Sequence, residues 1–178
     1  MPRAAASASP TTRIRLAQAD DLPAVERIER ELFSNPWSRE YYAAELSNRF
    51  SHFFVAEAVP ESAGEGLADG DGAQAALLVG YLLFWRLGAE LELHKIAVDG
   101  AWQRRGHAAR LLEFFIATGR SWGSERAVLE VRESNIAAIR LYEKYAFRAA
   151  GRRSDYYTRP QEAALVYELL FSGSGGGL

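Results

Sequence analysis

Apolar and polar positions alternate in short runs along this chain, and between the runs they fall into helical stripes. Ile14-Arg15-Leu16 alternates as a short strand. Asp20-Asp21-Leu22-Pro23 then offers a capping carboxylate and a proline near a first helical turn, predicting a helix through about Phe33. Pro36-Trp37-Ser38 restarts the pattern, with Ser38 placed to cap a second helix through the Tyr41 to Leu46 region. His52-Phe53-Phe54-Val55-Ala56 reads as a second strand, and Leu77 to Leu87 and Leu91 to Val98 as two more. From Gly106 onward, Ala108, Leu111, Leu112, Phe115 and Ile116 recur at the spacing of one buried helical face, with Gly119 and Gly123 bracketing the end. Ala127 to Val131 is a fifth strand, Asn135 opens a helix that ends near Tyr145, and Arg148 to Tyr157 and Ala164 to Phe171 close the sheet.

The order of elements, with two helices after the first strand and strands alternating with helices later, predicts an α/β (α+β) fold. We expect a mixed, mostly antiparallel sheet of about seven strands with helices on both faces. At 178 residues the chain suits one domain. Residues 1–12 read as a loose tail, 13–171 as the domain and 172–178 as a Gly/Ser tail. Pro60 to Gln74 mixes Gly, Ala, Glu and Asp without periodicity, so residues 59–76 read as a flexible hairpin insertion. No repeat of solenoid period stands out.

Composition narrows the chemistry. The net charge of −2 offers no broad footprint for a polyanion, so no direct nucleic-acid partner is expected and a basic peptide is a more comfortable one. Cysteine is absent, which removes disulfides, thiolate metal sites and a cysteine nucleophile. The longest apolar stretch, Ala75 to Trp85, falls short of the roughly 20 residues of a membrane-spanning helix. The small-residue start lacks the leucine-rich core of a secretory signal, so a cytoplasmic address and no membrane partner are expected. The histidines form no ligand-spaced cluster, and no metal is expected. Nothing in the sequence specifies an oligomeric state.

The stretch Leu93-His94-Lys95-Ile96-Ala97-Val98-Asp99-Gly100-Ala101-Trp102-Gln103-Arg104-Arg105-Gly106-His107-Ala108 resembles the strand, turn and helix start of the GNAT acetyltransferases, whose pattern is Q/R-x-x-G-x-G/A. A glycine-containing turn brings backbone N–H groups close to an anion, and the helix adds its positive end, so a pyrophosphate sits well there. Downstream, the block from Leu129-Glu130-Val131 through Asn135 and Tyr142 to Ala146-Phe147 resembles bacterial ribosomal-protein-alanine N-acetyltransferases of the RimI type. Pro36-Trp37-Ser38, Arg152-Arg153 followed by Tyr156-Tyr157, and Glu162-Ala163-Ala164 agree with that assignment. Three departures stand out. Ala108 takes the place of the second glycine, the Pro60 to Gln74 segment is longer, and Ala146 replaces a glycine at a turn that favours positive φ.

The resemblance implies acetyl-coenzyme A as cosubstrate and transfer to the N-terminal alanine of small-subunit ribosomal protein eighteen, by direct attack in a ternary complex. It implies Glu130 as general base, Tyr142 as the acid that protonates the coenzyme sulfur, and Asn135 as a coenzyme contact. The backbone of Ile96, Ala97 and Val98 would hold the acetyl and pantetheine arm, and Arg104, Arg105, Gly106, His107, Ala108 and Ala109 the pyrophosphate. Spacing adds that Leu129 and Val131 point away from Glu130, so that its carboxylate would stand alone on the face of Val128 and Arg132, and that Asn135 and Tyr142 lie two helical turns apart on one face.

Each residue also has a plainer reading. Glu130 can be a surface carboxylate, Tyr142 a core aromatic in the Ala138, Leu141, Tyr142, Tyr145 stripe, and His94 and His107 structural. In the phosphate turn the backbone N–H of His107 would matter more than its ring. At pH 7 an α-amine of pKa near 8 is about a tenth neutral, whereas a lysine near 10.4 is neutral about once in several thousand, so an α-amine needs less help. Another N-terminus, a lysine or a small amine remains an alternative acceptor, and a coenzyme A sensor without turnover is the alternative of a different class.

Overall fold

The computed structural model describes residues 11–59 and 76–171. Seven strands form one sheet in the order β1-β2-β3-β4-β5-β7-β6. They are β1 (Thr11–Leu16), β2 (Ser51–Val59), β3 (Leu77–Leu87), β4 (Glu90–Val98), β5 (Arg126–Arg132), β6 (Arg148–Thr158) and β7 (Gln161–Leu170). Neighbours pair antiparallel except β4 and β5, which run parallel. The helices are α1 (Leu22–Leu32), α2 (Arg39–Ser47), α3 (His107–Ser121) and α4 (Ile136–Lys144). None is long and apolar enough to cross a membrane.

Two cores lie on opposite faces of the sheet. On one, Leu111, Leu112 and Phe115 of α3 pack on Phe84, Leu91, Leu93, Leu129 and Val131, joined by Ile139 and Tyr142 of α4. On the other, Leu22, Val25 and Ile28 of α1 and Tyr42 of α2 cover Val55, Tyr81, Leu83 and Ala97. Burying each such side chain contributes about 1.5–3 kcal/mol. The α1/α2 layer covers the β2-to-β4 half of the sheet and leaves the matching face of β5, β7 and β6 open.

Several boundaries differ from expectation. Thr11 and Thr12, assigned to the tail, pair with Val59 and Ala58, so the first strand starts earlier and Val59 belongs to β2 rather than to the insertion. Residues 1–10, 60–75 and 172–178 lie outside the described residues. Ser38 caps α2 as expected, accepting from the Tyr41 N–H at 3.3 Å. Asp21 does not cap α1 with its side chain. Its carboxylate turns back to the Gln18 N–H at 2.8 Å and to Arg15 at 2.7 Å, because the cation on β1 competes for it. Arg15 in turn lowers the Asp21 pKa. Gly119 and Gly123 bracket the end of α3 at Ser121, as expected.

Candidate active site

The site begins with a fault in the sheet. β4 pairs with β5 from Glu90↔Arg126 to Leu93↔Leu129 and no further. At that point β4 carries a bulge: Phe84 faces Leu93 and Leu83 faces Lys95, leaving His94 as the extra residue. A bulge bends and twists its strand, so the C-terminal halves of β4 and β5 part. The wedge between them opens a cleft of about 1540 Å³. Single-ligand pockets run roughly 300–1,000 Å³, so this one has room for two substrates at once.

One end of the cleft is the turn into α3. Asp99 caps a 3-10 turn by accepting from the Ala101 N–H at 2.9 Å, and the Gln103 amide donates to the Val98 carbonyl at 3.1 Å, tying the loop to β4. Arg104 at φ 59° and Gly106 at φ 87° both adopt the left-handed region. Nothing lies within 4 Å of where a Gly106 Cβ would stand, so glycine serves the backbone angle and not the space. No side chain caps α3, and the first-turn N–H groups of His107, Ala108 and Ala109, which have no acceptor within a helix, border the cleft. With the helix dipole they form an anion cradle.

The ring of His107 points inward. Its Nδ1 hydrogen-bonds to Thr12 Oγ1 at 2.9 Å, it meets Trp102 edge-on, and burial lowers its pKa. Arg104 borders the cleft. Arg105 does not: its guanidinium lies 5.0 Å from the Trp102 ring centroid. Asn135 Oδ1 accepts from the Ala138 N–H at 3.2 Å and so caps α4 at the cleft wall.

Ile96, Ala97 and Val98, Glu130 and Tyr142 all border the same cleft. Leu129 and Val131 are buried beneath α3 and α4, and Glu130 faces the other way, as the alternation requires. The expectation that its carboxylate stands alone is corrected. Arg153 reaches across β7 to place Nη1 2.7 Å from Glu130, and the Tyr156 hydroxyl also donates to it, which pushes the Tyr156 pKa up to about 12. Tyr142 comes from the opposite face. It is 6% exposed, packs near Phe147, makes no side-chain hydrogen bond among the described residues, and burial raises its pKa. Its proton therefore stays on the oxygen at neutral pH and is available to a departing anion.

The other mouth is bridged by a clasp that the sequence did not reveal. Arg132 donates to the carbonyls of Arg159 at 3.0 Å and Pro160 at 3.4 Å, to Ser34 Oγ at 3.1 Å, and pairs with Glu162 at 3.2 Å. Ser34 Oγ donates to the Arg159 carbonyl at 2.6 Å, so the α1–α2 loop and the β6–β7 turn meet across the cleft. A second network missed in the sequence lies beneath. Glu29 is fully buried and receives Lys95 Nζ at 2.6 Å, the Trp37 N–H at 2.9 Å and the Tyr81 hydroxyl, which itself accepts from Tyr42. Lys95 Nζ also lies 4.0 Å from the Phe33 ring centroid, and burial lowers its pKa. The available signal was a charged residue four places after Val25, within the apolar stripe of α1.

A helix N-terminus and a carboxylate thus meet in the cleft of a split parallel strand pair. The profile of the Acetyltransferase (GNAT) family matches residues 22–147. The chain therefore belongs to the GNAT family of acetyltransferases. It is 32% identical over 157 residues to the [Ribosomal protein bS18]-alanine N-acetyltransferase of Escherichia coli K12, covering 87% of this chain and 95% of that protein. The N-alpha-acetyltransferase RimI of Mycobacterium tuberculosis is also 32% identical, over 158 residues, 85% of this chain and 87% of that one. The crystal structure of the ribosomal-protein-S18-alanine N-acetyltransferase from Escherichia coli superposes with a TM-score of 0.76 at 30% identity, over 94% of this chain and 99% of that one.

Proposed function

We propose that the protein transfers the acetyl group of acetyl-coenzyme A to the N-terminal α-amine of a protein, with the alanine terminus of ribosomal protein bS18 as acceptor. One observation carries the reading. The anion cradle at Gly106, the carboxylate of Glu130 and the hydroxyl of Tyr142 border one two-substrate cleft, although they come from different faces of the sheet. The name of the Escherichia coli relative supports the bS18 acceptor, and that of the Mycobacterium tuberculosis relative supports an N-terminal α-amine.

In this reading the amides of Gly106, His107, Ala108 and Ala109 and the charge of Arg104 hold the pyrophosphate, and Arg105 adds positive charge from outside the cleft. Asn135 adds a polar contact, and the strand edge of Ile96, Ala97 and Val98, left without a β5 partner, aligns the pantetheine arm as an added strand would be aligned. Acetyl-coenzyme A supplies the activated acyl group. Glu130 takes a proton from the attacking nitrogen, and Tyr142 returns one to the sulfur. Attack is direct, since the chain has no cysteine to carry an acyl intermediate.

Purified protein, acetyl-coenzyme A and a panel of short peptides, read by mass spectrometry, test this. The expected result is one acetyl group on the α-amine of the Ala-starting bS18 peptide. Acetylation of lysine alone, or coenzyme binding without product, overturns it. Glu130→Gln is expected to lower kcat about 10²- to 10⁴-fold while coenzyme affinity holds. Loss of coenzyme binding instead refutes the assignment of a base.

A further inference from the structure

An acceptor that arrives as an ammonium has more protons to lose than Glu130 alone is free to take. At pH 7 an α-amine of pKa near 8 is about nine-tenths protonated. Its nitrogen sheds two protons on the way to an amide: one before attack, when the lone pair must be freed, and one after the new bond forms. The second ends on the coenzyme sulfur and the first in solvent. Glu130 is already held by Arg153 at 2.7 Å and by the Tyr156 hydroxyl.

His94 is the other basic group in the cleft. As the extra residue of the β4 bulge it shares a face with Lys95, toward α1 and α2, which is also the face of Glu130. Its ring stands between Trp85, at 4.5 Å between centroids, and Trp37, at 6.3 Å. Its Nε2 is buried without a hydrogen-bond partner, and the nearest carboxylate oxygen is that of Glu92, 3.9 Å away. Buried polar atoms are seldom left unpaired, and exceptions point to function or to a bound water.

The charged groups around the ring are accounted for on every side. From β4 come Glu92 and Lys95, from α2 Glu45 and from β5 Glu130, while α1 contributes Glu29 behind Lys95. Lys95 is neutralised by Glu29 at 2.6 Å, and Glu45 accepts from the Trp85 indole N–H at 2.7 Å. Glu92 has no Lys or Arg partner among the described residues, and its side chain is 41% exposed. Burial, the largest influence, keeps the imidazole pKa below its usual 6.5, so the ring is neutral and basic at pH 7.

Resting on the reading above, we propose that His94 takes the first proton from the acceptor ammonium and passes it by way of Glu92 to solvent. An N–H bond of the ammonium breaks, its electron pair stays on nitrogen, and the proton binds the imidazole at Nδ1. The Nε2 proton leaves toward Glu92, whose half-exposed side chain need move only about 1 Å to close the 3.9 Å gap to hydrogen-bond distance. Glu130 then receives the second proton while Tyr142 gives its own to sulfur, and the two side chains return to their starting states by exchange with solvent.

The test compares His94→Phe, which keeps an aromatic ring between the two tryptophans, and His94→Gln with the parent, using acetyl-coenzyme A and an Ala-starting peptide. At pH 7 both variants are expected to lose about tenfold in kcat, because only about a tenth of the acceptor arrives neutral, with coenzyme affinity unchanged by calorimetry. At pH 9 the acceptor arrives neutral, and the loss is expected to shrink to within about threefold. A loss of equal size at pH 9, or parental kcat at pH 7, overturns the role of His94. The acceptor assignment fails separately, if the parent protein leaves the α-amine unmodified. Imidazole resonances followed by NMR give a check independent of turnover: the one missing in His94→Phe should titrate below pH 6.5 in the parent. A midpoint above 6.5 contradicts the proposal.

Discussion

Replacing Ala146 by glycine is expected to stabilise the protein. Ala146 stands just past α4 at φ 66°, the only described non-glycine residue besides Arg104 and Asp155 in the left-handed region. Its N–H donates to the Glu143 carbonyl at 3.0 Å, and the Phe147 N–H donates to the Tyr142 carbonyl at 3.1 Å. That pair of bonds is the Schellman helix end, whose left-handed residue is usually glycine. An L-residue there costs about 1–2 kcal/mol from Cβ against carbonyl. Glycine gives back about 0.4–1 kcal/mol through its freer unfolded chain. Ala146 is exposed, so no packing is lost. The net gain is about 1 kcal/mol, which raises Tm by roughly 2–4 °C in a domain of this size. Urea unfolding should show a higher midpoint with an unchanged slope for Ala146→Gly, and a lower midpoint for the β-branched Ala146→Val. Equal or lower stability of the glycine variant would refute the strain argument.

At Gly119 the reverse substitution has the opposite sign. A Cβ there would stand 2.5 Å from Phe171 Cζ and 2.8 Å from Leu91 Cδ1, inside the core beneath α3. Overpacking costs about 1–3 kcal/mol, against about 1 kcal/mol of helix propensity gained, so Gly119→Ala should lower the urea midpoint; a rise would show that Phe171 moves aside freely. Stability should also fall on mild acidification. His52, His94 and His107 all have their pKa values lowered in the fold, chiefly by burial. Between those values and the unfolded value near 6.5 the unfolded chain binds more protons, so their contribution is whole above about pH 6.5 and is lost as pH falls through the folded values. Tm measured from pH 8 to pH 5 should drop below about pH 6.5, and a flat profile would count against buried neutral imidazoles.

The elements were legible because their apolar periods were clean. The stripe of Leu111, Leu112, Phe115 and Ile116 is the buried face of α3, and Ser38 and Asn135 cap their helices as placed. The Gly106 turn was legible because positive φ before an uncapped helix leaves few choices of residue. The bulge was written in the sequence but went unread. Leu91 and Leu93 occupy one core and Ile96 and Val98 the same core, so the alternation slips by one residue between 93 and 96, at His94. The ion pair of Glu130 with Arg153 had no such trace. It depends on β7 lying between β5 and β6, a fact of strand order and not of local pattern. The Arg132 clasp likewise joins residues 98 positions apart.

The bulge explains why a sheet can host this chemistry at all. Glu130 and Tyr142 belong to opposite faces, and an intact ladder of hydrogen bonds would hold its backbone between them. Ending the β4–β5 ladder after Leu93 removes that barrier over a few residues, so groups from both faces meet in one gap. The same interruption frees the main-chain edge of Ile96 to Val98 for an extended ligand and points that ligand's charged end at the start of α3, the next element in the chain. On the proposed reading, a proton acceptor, a proton donor, a strand-like dock and an anion cradle are brought together by one unpaired residue. That residue is His94, which puts an imidazole at the place where the two faces join.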